Sequence, residues 1–190
     1  QKEKWMENIK LIALDVDGIL TDGSKLYDSS GNSTFKKFND IDFTAIKVFK
    51  ALGVEVIFIT GDSSNSWLAE KRNVKTYVTR LKDGSSISKE KVLNRHLKET
   101  GIKHDEVWFA GDDVFDISAM IISKYVSSPI NSIDEVKKLS NVPVEKESGN
   151  FFVSEMLNIY LNFHSIKVDE ELLKKIEKLD ASESSSSEMA

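Results

Sequence analysis

Two aspartates two residues apart close an apolar run at 12–23, IALDVDGILTDG, and a glycine follows at once. Carboxylates repel one another and resist burial, so Asp15 and Asp17 form either an acidic turn or one wall of a site for positive charge. A second acidic cluster, GDDVFD at 111–116, follows another apolar run. It sets Asp112 and Asp116 four apart, one turn if the segment starts a helix. Carboxylates converging from two strand ends make an oxygen-rich site that suits Mg²⁺. A hydroxyl at Thr60 and a cation at Lys89 would let such a site hold a phosphate ester. Mg²⁺ and Lys89 would neutralise it, Thr60 would donate a hydrogen bond, and Asp15 would lie in line with phosphorus. Asp15 would then attack to give an aspartyl-phosphate. Asp17 would protonate the leaving alcohol and later take a proton from water. Singly, DxD or GDD after a strand is more often a solvated turn. The conjunction of four elements in order carries the reading.

The elements that must position these residues alternate along the chain. Segments 10–14, 54–60, 76–79, 107–110 and 125–127 read as short apolar strands. Between them lie helical patterns at 42–52, closed by Gly53, and at 88–100, closed by Gly101, with others at 64–72, 115–122 and 133–139. This alternation predicts an α/β fold: a Rossmann-like parallel sheet with helices on both faces. Parallel strands bring all their C-terminal ends to one edge, and Asp15, Thr60 and Asp112 sit at three of those ends. Residues 24–39 break the pattern and read as a β-hairpin inserted after the first strand, turning at Gly31–Asn32. Residues 151–163 form an apolar helix and 168–179 an amphipathic one. Its Leu172, Leu173, Ile176 and Leu179 would pack on the same domain or a neighbouring subunit. The expected organisation is one domain over 1–164, a helical extension over 165–180 and a disordered Ser-rich tail over 181–190.

Composition sets outer bounds. The chain has 190 residues, ample for one core, and no cysteine, which removes thiolate chemistry and fits a reducing compartment. With a net charge of −5 and Lys and Arg dispersed, there is no electrostatic footprint for nucleic acid or a membrane surface. The apolar stretch within residues 1–14 is short for a signal peptide and no segment reaches spanning length. A cytoplasmic location is the expectation, for a chain that begins at Gln1 and not at a methionine. His96, His104 and His164 lack metal-ligand spacing and read as surface or packing residues. Trp67 reads as helix packing before a substrate wall, and the Lys36–Lys37 pair as a solvated hairpin edge before a contact for a substrate's acid group.

The motifs DVDGILTDG, ITGD, the Lys89 helix and GDDVFD resemble the four motifs of the haloacid dehalogenase superfamily. More narrowly, ENIKLIALDVDGILTDG, LYDSSGN and FNDIDFTAIK resemble the 3-deoxy-D-manno-octulosonate 8-phosphate phosphatase family, over about residues 7–160. That family is also similar to the C-terminal domain of some CMP-sialic acid synthetases. The resemblance implies Asp15 as nucleophile, Asp17 as acid/base, and Thr60, Gly61 and Lys89 on the phosphoryl group. It places Asp15, the Asp17 carbonyl and Asp112 on Mg²⁺, with Asp116 as a supporting carboxylate. Lys82 and Lys91 compete for the lysine role, and Lys89 has the family's spacing to Gly111. Asp62, Ile41 and Ser154 stand where the family carries arginines, which would suit a sugar-acid carboxylate. These departures bear on the substrate rather than on the phosphate chemistry.

The expectation is therefore a phosphatase for a small sugar or 2-keto-3-deoxy sugar acid phosphate. The alternatives are a non-catalytic oligomerisation module of the same fold, as in fused synthetases, and phosphotransfer to another acceptor. Only 42 residues separate Asp17 from Thr60 and 28 separate Thr60 from Lys89, so no cap domain fits. An open site and an apolar hairpin (Leu26, Tyr27, Phe35, Phe38) point to a second subunit as the missing wall. The resembling phosphatases are tetramers whose hairpins pack beside neighbouring sites, which implies a homotetramer of cyclic or dihedral symmetry here.

Overall fold

Four consecutive apolar residues, Leu11 to Leu14, are all buried, and this continuous run marks a strand covered on both faces. The computed structural model describes residues 6–187. Its elements are β1 (Leu11–Leu14), β2 (Leu26–Tyr27), β3 (Ser33–Phe35), α1 (Asp40–Ala51), β4 (Glu55–Thr60), α2 (Trp67–Lys71) and β5 (Lys75–Val78). There follow α3 (Lys89–Thr100), β6 (Val107–Ala110), α4 (Ile117–Ile122), β7 (Tyr125–Ser127), α5 (Asp134–Lys137), α6 (Phe152–His164) and α7 (Glu170–Ser187). Five strands form a parallel sheet in the order β5-β4-β1-β6-β7, so the expected α/β architecture holds.

The period of two divides the core. Ile12 and Leu14 of β1, with Val56 and Phe58 of β4, face α1 and α6 and pack with Phe43, Phe49, Phe152 and Met156. Leu11, Ala13, Ile57 and Ile59 point the other way and meet Leu93 and Leu97 of α3 and Met120 of α4. The register sets Leu14 level with Phe58 on one side and Ala110 on the other. Three neighbouring strands therefore release their chains into loops at one edge. The helix signals hold as well. Asn39 caps α1 by accepting from the Ile41 N–H at 2.9 Å, and Gly101 ends α3 in the left-handed region at φ 76°.

The hairpin pairs Leu26 with Phe35 and Tyr27 with Ser33, and leaves Leu26, Tyr27 and Phe35 more than 60% exposed. Phe38 is a correction to the expected wet apolar set. It stacks on Phe43 at 5.6 Å and meets Trp67 edge-on at 5.5 Å, which closes the hairpin's exit against α1 and α2. No cap domain is present among the described residues: 18–59 hold the hairpin and α1, and 61–88 hold α2 and β5.

The C-terminus departs from expectation too. Helix α7 runs on to Ser187, past residue 180 where the sequence suggests a disordered tail; residues 188–190 lie outside the described residues. The physical reason is a charge anchor. Lys47 on α1 is nearly buried and pairs with Asp180 at 2.6 Å and Glu183 at 3.1 Å, while Arg72 reaches Glu183 at 3.6 Å. Leu172 and Ile176 pack α7 onto its own domain. No described helix is long and apolar enough to cross a membrane.

Candidate active site

Asp15 is the first residue past β1. Its N–H still donates to the Ala110 carbonyl at 3.0 Å, so the strand ladder fixes where its side chain starts. Asp15 Oδ1 accepts from its neighbour's N–H (Val16, 2.7 Å) and from Lys89 Nζ at 2.9 Å. Lys89 opens α3, where Ser88 caps the helix, and its side chain is 4% exposed. The same ammonium reaches Asp116 Oδ1 at 2.6 Å. Asp116 is fully buried, and its Oδ2 accepts the N–H groups of Asp112 (2.9 Å) and Asp113 (3.1 Å). Both oxygens of Asp116 are thus occupied within the protein. It shapes the loop after β6 and aims Lys89.

Two glycines permit this crowding. Gly18 lies at φ +87°, and a Cβ there would overlap the Asp112 carboxylate. A Cβ on Gly111 would strike the Asp116 side chain. As a result Asp15, Asp112 and Asp116 offer oxygens that all lie within 4.8 Å of one another. Their crowding is visible in Asp15 and Asp112. Burial first, then Asp116, pushes the Asp15 carboxyl well above its usual range, against the pull of Lys89. Burial and the charges of Asp116 and Asp113 push Asp112 up to about 7. Burial opposes the Lys89 charge, yet Asp15 and Asp116 outweigh it and hold the ammonium above its usual range. Asp112 Oδ1 is buried with no hydrogen-bond partner among the described residues. An orphaned carboxylate oxygen beside two other carboxylates is a ligand set for a hard cation.

Thr60 ends β4 and is buried, with its Oγ1 accepting Asn65 Nδ2 at 2.9 Å and the Asp62 N–H at 3.2 Å. Asn65 is fully buried and also donates to Asp17 Oδ2 at 2.9 Å. The Asp17 carboxylate therefore turns away from the Asp15–Asp112–Asp116 cluster, toward Asn65 and Lys36 (2.9 Å). Lys36 is a correction. The solvated edge expected of the lysine pair does not hold for it, because Asp17 and Asp62 draw its ammonium into the protein, leaving 9% of the side chain exposed. Asp62 also binds Lys25 at 2.6 Å. Burial alone would raise Asp62, but hydrogen bonds from Lys25 and Lys36 hold it well below the usual carboxylate range. Sequence reasoning missed Lys25 and Asn65, and read Lys36 as solvated. Their positions in a hairpin and a Ser-rich turn carry no periodic signal that would have found them.

A cleft of about 880 Å³ opens over this edge, of a size for a small metabolite. Asp15, Asp17, Thr60, Gly61, Lys89 and Asp112 all line it, so the cleft brings together every expected site residue except Asp116, which lies beneath. Lys91 lines the cleft but is exposed, and Lys82 stands clear of it, leaving Lys89 as the buried lysine at the carboxylates. The histidines stay apart: His96 packs with Tyr77 (2.9 Å) and Glu55, and His104 bonds Asn94.

No protein-family model matches the chain. A 3-deoxy-D-manno-octulosonate 8-phosphate phosphatase of Haemophilus influenzae is 30% identical over 117 residues, 62% of this chain and 63% of the relative. The chain thus matches less than two thirds of that relative's length. The crystal structure of a phosphatase of the same name from Moraxella catarrhalis, in complex with magnesium, phosphate and the sugar acid, superposes with a TM-score of 0.71 at 28% identity. That match covers 82% of this chain and 87% of the other. A hydrolase of the haloacid dehalogenase superfamily from Legionella pneumophila reaches a TM-score of 0.79 at 24% identity, over 93% of each chain, a likeness of fold.

The raised Asp112 pKa sets a pH test. The folded state binds this proton more tightly than the unfolded chain, so the group's ionisation erodes stability as pH rises from about 4 towards 7. In metal-free protein, Asp112→Asn should raise Tm at pH 8, and the gain should fade as pH drops below 7 and vanish near pH 4. Thermal melts across that range check it; a Tm that falls at pH 8 would contradict the repulsion.

Proposed function

We propose that this chain, which has the fold of the haloacid dehalogenase superfamily and resembles its 3-deoxy-D-manno-octulosonate 8-phosphate phosphatases, is a Mg²⁺-dependent phosphatase. Its substrate is a small sugar or 2-keto-3-deoxy sugar acid phosphate. The observation that carries the reading is the meeting of Asp15, Thr60, Asp112 and Lys89 in one cleft, delivered by three strand ends and one helix start.

The donor set fits a divalent cation. Asp112 Oδ1 lacks a partner, and Asp15 Oδ2 receives no donor among the described residues. Asp15, Asp112 and the Asp17 main-chain carbonyl would hold it, with Asp116 supporting. When bound, Mg²⁺ supplies positive charge that lets the phosphoryl oxygens approach the carboxylates. Lys89 adds a second charge and pulls Asp15 toward the carboxylate form, working with the cation against the burial and neighbouring carboxylates that disfavour its charge. Thr60 and the Gly61 backbone orient the phosphoryl group. The Asp15 carboxylate attacks phosphorus and the P–O bond to the leaving alcohol breaks, with Asp17 giving that oxygen a proton. Water then attacks the aspartyl-phosphate and yields its proton to Asp17, which returns both residues to their starting state.

On the substrate side, Asp62, Ile41 and Ser154 replace arginines. Lys25 lines the cleft, but Asp62 already takes its charge at 2.6 Å. Arg80 and Lys91 also line the cleft and supply positive charge elsewhere on its wall.

The site is uncapped, the hairpin carries Leu26, Tyr27 and Phe35 into solvent, and Val114 and Phe115 are also exposed on the loop after β6. A homotetramer in which neighbouring hairpins cover these residues would supply the missing wall. The alternative of a non-catalytic module leaves Lys89 buried among carboxylates without a use.

Asp15→Asn keeps the shape and removes the nucleophile. With Mg²⁺ and p-nitrophenyl phosphate, its kcat should fall by at least about 10³-fold, on the scale of losing a covalent nucleophile; near wild-type turnover would overturn the mechanism. Light scattering at micromolar concentration should give about four times the 21.4 kDa chain mass. A monomeric mass with full activity would sink the tetramer.

A further inference from the structure

Lys36 leaves the hairpin just after β3 and carries a charge almost wholly out of water, which demands compensation. The compensation is complete. An ammonium has three donors, and these find Asp17 Oδ2, Asp62 Oδ2 and Asn65 Oδ1, each at 2.9 Å. No proton of Lys36 is left over for a substrate, and Lys36 is not on the wall of the cleft. Whatever it does for the site, it does through Asp17.

Asn65 grips the same atom from another element. Its amide nitrogen donates to Asp17 Oδ2 and to Thr60 Oγ1, both at 2.9 Å, while its oxygen accepts from Lys36. One carboxylate oxygen of Asp17 is therefore held by two strong donors. The other, Oδ1, has only a long contact from Thr21 Oγ1 at 3.4 Å. A group that gives a proton to one oxygen and later takes one from another needs this division: one atom fixed, the other free to exchange. We propose that Lys36 is a positioning residue that fixes the Asp17 carboxyl for proton transfer, with Asp62 as the counter-charge that holds Lys36 in place. The inference rests on the phosphatase reading above.

Asp62 gives the arrangement its logic. An arginine at this position would bring a second cation against the Lys36 ammonium. The aspartate instead binds Lys36 and Lys25 through a single oxygen, Oδ2, so two lysines face two carboxylates. Both lysines flank the hairpin, Lys25 before β2 and Lys36 after β3. The hairpin base is thereby tied to Asp62 at both of its ends, and through Lys36 to the acid/base residue as well.

The test separates positioning from folding by leaving group. A sugar alkoxide leaves only with a proton, whereas p-nitrophenolate leaves without one, and kcat/KM reports the step up to Asp15 phosphorylation. The variants are Lys36→Met and the charge-balanced pair Lys36→Met with Asp62→Asn, both measured with Mg²⁺. The substrates are p-nitrophenyl phosphate and the best member of a panel of hexose, pentose and sugar-acid phosphates. The expected result is a loss of about 10²-fold or more in kcat/KM on the sugar phosphate. On the aryl phosphate it is a loss within tenfold, roughly the scatter of a minor perturbation. The double variant should recover thermal stability and keep the split. Equal losses on both substrates in the double variant, or no loss on the sugar phosphate, overturn the inference alone. A wild-type protein that hydrolyses neither substrate overturns the phosphatase reading, and this inference with it.

Discussion

The structure is organised around one costly arrangement: three carboxylates within 4.8 Å of one another, with a single buried lysine among them. Lys89 bridges Asp15 and Asp116, and two main-chain N–H groups satisfy the rest of Asp116, but none of the described residues satisfies Asp112 Oδ1. Such a cluster is unstable by itself. It persists because the surrounding backbone leaves it nowhere else to go; the cation proposed for the site would offset its excess negative charge. Gly18 and Gly111 are part of the same constraint, since a side chain at either would expel the carboxylate opposite.

The sheet exists to hold these ends in register. β1 lies between β4 and β6, and its two faces bury different residues against different helices, which pins its height and tilt from both sides. The central strand then cannot slide without moving Leu14 and its partners Phe58 and Ala110 out of alignment. Asp15, Thr60 and Asp112 inherit that rigidity from the strands beneath them. The hairpin obeys a different rule. It has a sheet of only two strands and almost no buried apolar surface of its own, so ion pairs at its base and Phe38 between Phe43 and Trp67 decide where it sits.

This difference explains what the sequence reveals. Elements built on periodic burial are legible: the strand ending at Leu14, the helix with Phe43, Ile46 and Phe49 on one face, and the glycine stops at 53 and 101. Asp15, Thr60, Lys89 and Asp112 are legible because they are the first polar residues where such elements end or begin. Lys36 and Asn65 are not, because a lysine beside another lysine and an asparagine among serines read as solvent-facing. Lys36 is drawn in by Asp17 and Asp62, and Asn65 by Asp17, Thr60 and Lys36, side chains from separate elements that the fold brings together. The end of α7 is hidden for the same reason. A Ser-rich stretch has no helical pattern of its own, and it is Lys47 and Arg72, more than a hundred residues earlier, that anchor Asp180 and Glu183.

The central claim is that Asp15 is the residue that takes the phosphoryl group, with the carboxylate cluster and Lys89 arranged for that transfer. Acid quench of the enzyme during turnover of p-nitrophenyl phosphate with Mg²⁺, followed by peptide mass spectrometry, reads it directly. The account predicts a labile phosphoryl group on the peptide that contains Asp15, absent when hydroxylamine is added after the quench and absent in Asp15→Asn. Steady turnover with no phosphoryl group on that peptide at any quench time, or one carried by another residue, would contradict it.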